Sequence, residues 1–261
     1  MWKLFENIGD YIFRTCSYYL GLFTFSISCF LSFVQPKTYN PASRSVFVRQ
    51  TYTSSLCLIP PFFILAVILG IVLMGSIISA AINYSLESHM GEILVQFVLV
   101  EFVPFLTALM VAVKIGSNIN THFAVMEANN EIHALEKYHI DIIHYLIAPK
   151  ILGEMLTLLF LATTLMIIMT ISGYVFLYFS INMDFSQYLR ILIATATVKD
   201  VFLFVGKNLL FGFAIIAIPC FNGLKTKKSY FAIADDVSKG LVELFKGLFF
   251  IEVISLVLHF W

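Results

Sequence analysis

Residues 56–82, LCLIPPFFILAVILGIVLMGSIISAAI, contain no charged side chain. A run of that length crosses the roughly 30 Å of bilayer hydrocarbon with room to tilt. Similar runs occupy about 92–117, 151–180, 200–221 and 240–261. Hydrocarbon offers backbone N–H and C=O groups no partner, so each run must satisfy its own hydrogen bonds as a helix. Only 12 % of the residues are charged, against about 25 % in soluble domains. The chain therefore reads as an all-α integral membrane protein. Zero net charge gives no reason to invoke a nucleic-acid partner.

Lys and Arg in short loops set the orientation. Lys3, Arg14, Lys37, Arg44 and Arg49 precede the first run, Lys137 and Lys150 follow the second, and Lys225, Lys227, Lys228 and Lys239 follow the fourth. On the other side, residues 83–91 have none and residues 181–197 have only Arg190. This bias predicts a cytoplasmic N-terminus, with Trp261 near the outer face. Residues 18–34 are apolar but dotted with Ser and Thr, and crossing there would carry Arg44 and Arg49 outward. They are expected to lie in the interface as an amphipathic elbow helix, within an N-terminal region 1–45. Pro60 and Pro61 are expected to break an early turn of the first run. Cys16, Cys29, Cys57 and Cys220 lie far apart without CxxC spacing; they are expected to act as buried, small apolar residues. No signal-peptide pattern opens the chain, so the N-terminus is expected to stay in the mature protein.

Glu101 sits in the middle of the second run, GEILVQFVLVEFVPFLTALMVAV. An acid at that depth costs roughly 2.5–3.5 kcal/mol even on the lenient insertion scale. Pro104, three residues on, removes a backbone donor and favours a kink. The residues alone leave two roles open for Glu101: a helix-to-helix contact, paired with a cation such as Lys114 or Lys207, or the polar point of a greasy cavity. Tyr84, where the first run ends, reads either as an interfacial anchor or as part of a pocket mouth.

Residues 118–148 form the longest polar stretch and exceed common connection lengths. Strong helix formers surround Met126–Ala128 and Ala134–Lys137, and Asn129-Asn130 is placed to divide them. Phe123 and Met126 do not share a helical face with Ile132 and Leu135. His133, His139 and His144 lack metal-ligand spacing and read as surface residues, and no metal or cofactor is expected. The stretch from Gly223 to Ser229 lacks the second glycine of a phosphate loop; its lysines suit anionic headgroups better.

The block 84–141 resembles the signature region of MlaE-type permeases, membrane subunits of ABC transporters that move phospholipid between the two membranes of Gram-negative bacteria. Glu101-Phe102-Val103-Pro104 stands where that family has Glu-Leu-Gly-Pro, followed by Thr107-Ala108-Leu109. Gly116-Ser117 and the run Met126-Glu127-Ala128-Asn129-Asn130-Glu131 match later motifs, as do Ala134-Leu135, Asp141, Pro149-Lys150, Lys207, Phe211-Gly212 and Phe221-Asn222-Gly223. Val100 replaces a basic residue, Val103 a glycine, and His122 an acid. The resemblance covers about residues 46–261.

It implies a non-catalytic permease of five spans with a cytoplasmic coupling helix between the second and third. It implies a homodimer in the inner membrane that serves outer-membrane lipid homeostasis, with a periplasmic C-terminus. The lipid cavity would involve Glu101, Tyr84, Phe97, Val98 and Phe105, and ATPase coupling Met126, Glu127, Glu131, Leu135 and Glu136. Implied partners are phospholipid, a separate cytoplasmic ABC ATPase, a periplasmic MCE-domain protein and a small STAS-type subunit. The chain has no nucleotide-binding motif of its own. The competing class is an autonomous proton-coupled carrier or channel using Glu101, for which inverted repeats would be the sign; the two halves show no such correspondence.

Overall fold

The computed structural model describes residues 2–84, 90–226 and 230–260. Residues 85–89, Lys227, Lys228 and Trp261 lie outside them, as does the side chain of Cys57. No strand occurs among the described residues. The order is α1 (Trp2–Ser32), a 3₁₀ turn (Pro36–Tyr39), α2 (Pro41–Leu69), α3 (Gly75–Asn83), α4 (Met90–Glu92), α5 (Val103–Val111), α6 (Ser117–Ala128), α7 (Glu131–Lys137), α8 (Ala148–Ile181), α9 (Phe185–Thr195), α10 (Val198–Leu224) and α11 (Tyr230–Phe260). π-Helical stretches Gly70–Met74, Ile93–Phe102, Ala112–Gly116 and Ile143–Ile147 join several of these without a break.

Among the described residues, five stretches are long and apolar enough to cross a membrane: Thr15–Ser32, Pro41–Ala81, Ile93–Ala128, Ile143–Phe179 and Val198–Leu224. Of the last four, Val198–Leu224 contains the fourth expected run whole, and the other three match the first three runs to within one residue at one end and extend well beyond them at the other. α11 covers the fifth, but Glu243, Lys246 and Glu252 interrupt its apolar length. The helix that carries the first expected run, α2, already starts at Pro41, which puts Pro60 and Pro61 in its interior. They do not end it. Adjacent prolines remove two donors from the same turn, and intact hydrogen bonds on either side carry the helix through.

α10 is the central element, packed on α8, α11, α6 and α5, while α2 covers the far side of α8. Thr197 caps it, accepting from the backbone at Asp200 while the Asp200 carboxylate takes the Thr197 N–H at 2.8 Å. Phe211, Ile215, Ile216 and Cys220 along it are fully buried. Helices in lipid gain little from hiding apolar surface, so close backbone approach matters more. Gly212 permits it: a Cβ there would sit 2.6 Å from the Cα of Met155 on α8.

α1 lies against the second half of α10. The Tyr18 hydroxyl donates to Asn222 Oδ1 at 2.8 Å, and Phe25 and Phe33 meet Phe221 and Phe213. Cys29 and Cys220 are buried free thiols, but Cys16 is exposed, contrary to its expected burial. The connection from α8 to α10 is itself helical: α9 buries Tyr188, whose hydroxyl donates to the Thr170 carbonyl at 3.2 Å.

Candidate functional site

Pro104 cannot donate a hydrogen bond, and just before it the helix winds wide. Val103 N–H donates to the Val98 carbonyl, five residues back, closing the π-helical stretch Ile93–Phe102. Such stretches are rare and are often found at functional sites. Within this stretch Val98 and Glu101 are buried, 1 % and 3 % exposed, while Phe97 faces outward at 57 %.

Glu101 is not alone at that depth. Lys207 of α10 forms an ion pair with Glu101 Oε2 and a second with Glu252 Oε2 of α11 at 2.8 Å. On the other carboxylate oxygen, His259 Nδ1 of α11 lies 2.9 Å from Glu101 Oε1. The backbone is drawn in as well: Lys199 donates to the His259 carbonyl at 3.1 Å, and Lys207 reaches the Glu101 carbonyl at 3.4 Å. Four ionisable side chains from three separate helices thus share one buried cluster. A buried charge persists only when paired and hydrogen-bonded, and each member here supplies that condition for another. Lys207 was among the partners the sequence offered; Glu252 and His259 were not.

A second buried acid was missed. Glu154 of α8 is fully buried, and its Oε2 accepts from Gln50 Nε2 at 2.9 Å and Ser54 Oγ at 2.8 Å, both on α2. Its contacts tie α2 to α8, the role of a polar interhelical bond in lipid. The available signal was an acid near the start of the apolar run 151–180.

The residues expected to line a lipid cavity do not meet in one place within a single chain. Tyr84 is 76 % exposed at the end of α3 and Phe97 faces outward. Val98 and Glu101 are interior, while Phe105 packs edge-on against Phe249 of α11 with centroids 5.2 Å apart.

The expected coupling residues form a helix pair. α6 ends at Ala128, Asn130 adopts a left-handed conformation (φ 57°), and α7 begins at Glu131. The change of direction lets both apolar faces reach the core: Phe123 and Ile132 are buried, with Met126 and Leu135 partly so. Glu131 and Glu136 remain exposed, and Glu127 is half-buried. His133 lies 3.5 Å from Glu136, and His144 pairs with Asp141 and contacts Thr38.

The family model described as Permease MlaE matches residues 47–258. A probable ABC transporter permease protein of Rickettsia typhi is 25 % identical over 210 residues, 80 % of each chain. One from Rickettsia bellii is 26 % identical over the same share, and one from Porphyra purpurea 29 % over 160 residues, 60 % of each chain. A family match over most of its length, carried on a bundle of membrane-length helices, makes this chain a member of the MlaE permease family.

Proposed function

We propose that this chain is the permease subunit of an ABC transporter that moves phospholipid between the inner membrane and a periplasmic MCE-type shuttle protein. The family match over 47–258 carries the reading. Two copies would form the transport cavity between them, with outward-facing Tyr84 and Phe97 supplying wall that a single chain leaves bare. Such a pocket suits an amphiphile: mostly apolar, with few polar points. Glu101 is held by Lys207 and His259, so lipid contact at Glu101 requires the end of α11 to move aside.

The α6–α7 pair is the proposed contact for a cytoplasmic ATPase, through Met126, Glu127, Glu131, Leu135 and Glu136; a small STAS-type subunit is the proposed further partner on that side. ATP turnover there would re-form the cavity, and this chain would make or break no covalent bond. The N-terminus is cytoplasmic in this reading, α1 lies in the interface, and the C-terminus is periplasmic.

Gentle solubilisation and reconstitution test it. An ATPase should co-purify, and labelled phospholipid should pass to an MCE-domain acceptor only with hydrolysable ATP. Lipid transfer that continues without ATP, by a preparation that never contains an ATPase, would overturn it.

A further inference from the structure

Three hollows run together along α10 and α11, the first and third of them closed on one side by α1. The first, about 570 Å³, lies among Phe23, Ser26 and Phe30 of α1, Met155 of α8, and Gly206 and Leu210 of α10. The second, about 350 Å³, shares Gly206 and Leu210 and continues to Phe250 and Ile254 of α11. The third, about 570 Å³, shares Phe23 and Ser26 with the first and Phe250 with the second. Each falls within the roughly 300–1,000 Å³ of small-molecule sites. Lys207 borders the second hollow with its stem, its ammonium being taken up by Glu101 and Glu252.

Charge enters at one end. The third hollow is lined by Tyr19, Glu243 and Lys246. Lys246 Nζ lies 2.6 Å from Glu243 Oε1, and the Tyr19 hydroxyl donates to Glu243 Oε2 at 3.1 Å. A groove with greasy walls and a fixed cation–anion pair at its mouth has the polarity profile of a whole phospholipid.

We propose that this groove seats one zwitterionic, amine-bearing phospholipid drawn from the surrounding leaflet. Its acyl chain fills the space beside Phe23, Phe30, Gly206 and Leu210, its phosphate pairs with Lys246, and its ammonium pairs with Glu243. Partner exchange keeps all four charges compensated. An anionic lipid without an amine would satisfy Lys246 and leave Glu243 without its cation, so the pair selects for the zwitterion. The seat is separate from the proposed cavity at Tyr84 and Phe97, and binding there requires no transport step.

Gly206 provides the test variant, because a Cβ at that position meets no atom within 4 Å. The purified full chain in detergent is given phosphatidylethanolamine or phosphatidylglycerol, each with a photoactivatable group midway along one acyl chain. Labelled peptides are then mapped by mass spectrometry. Phosphatidylethanolamine should label residues 19–31 and 206–213, about fivefold more than phosphatidylglycerol. Gly206→Leu should reduce that labelling about fivefold with the melting temperature retained, and joint Glu243→Gln and Lys246→Gln should remove the headgroup preference. Equal labelling by both lipids, labelling unchanged by Gly206→Leu, or cross-links showing a second copy in the groove would each overturn the proposal. ATP is absent throughout, so failure of the transport reading leaves this result standing.

Discussion

His259 Nδ1 lies 2.9 Å from Glu101 Oε1 although 158 residues separate them in the chain. The contact brings the last turn of α11 onto the middle of the second expected run, opposite the oxygen that Lys207 holds. The Glu101 carboxylate is thereby clamped on both sides by different helices. Its energetic cost in lipid is offset by the ion pair to Lys207 and the contact with the His259 ring.

Lys207 bridges two carboxylates, so its loss should be the most damaging single change in the cluster. Lys207→Met leaves Glu101 and Glu252 buried without that shared cation, a loss of about 3–5 kcal/mol. Glu252→Gln keeps a hydrogen-bond acceptor and should cost less. Combining Glu101→Gln with Lys207→Met should cost less than the sum of the two, because the variants remove the same pair. Denaturant unfolding in mixed micelles measures all three.

His259→Ala should destabilise by roughly 1.5–3 kcal/mol, the range for a hydrogen bond to a charged group. The specific sign is loosening of the end of α11. Amide exchange should accelerate over residues 253–260 more than over α2, which the contact does not touch. Uniform exchange across both helices would contradict this.

Two glycines six residues apart on α10 should respond oppositely. Gly212→Ala forces a methyl against the α8 backbone at Met155 and should cost about 1–3 kcal/mol. Gly206→Ala meets open space and should be neutral or gain up to roughly 0.5–1 kcal/mol from better helix propensity. Thermal melting in the same detergent separates them.

At the bend between α6 and α7, Asn130→Gly should be tolerated. Asn130→Val should cost about 1–2 kcal/mol, because a β-branched residue resists positive φ. If the proposed function holds, Leu135→Asp should lower ATP-driven lipid transfer by the reconstituted complex without preventing its assembly. Unchanged transfer would remove α7 from the coupling path.

The apolar runs, the break at Asn129-Asn130 and the anomaly at Glu101 were legible because each is a local property of the chain. Lys207 could be named as a possible partner because it is a cation within another apolar run. Glu252 and His259 could not: nothing local states that α11 folds back onto Glu101. Phe97, Val98 and Glu101 were grouped as one lining, yet Phe97 is exposed while the other two are buried. The helix carrying the first run begins ahead of it, at Pro41, and runs through Arg44 and Arg49, which by their charge alone read as loop.

Glu101 sits in the wide-wound stretch Ile93–Phe102, ahead of ordinary α winding from Val103 on. Inserting one residue between Phe102 and Thr107, with the winding kept, would swing everything on its N-terminal side by about 100° relative to Thr107 and Val111. Every side chain could be kept and the alignment of Glu101 with Lys207 would still be lost. For this helix, residue number is as much a part of the design as residue identity.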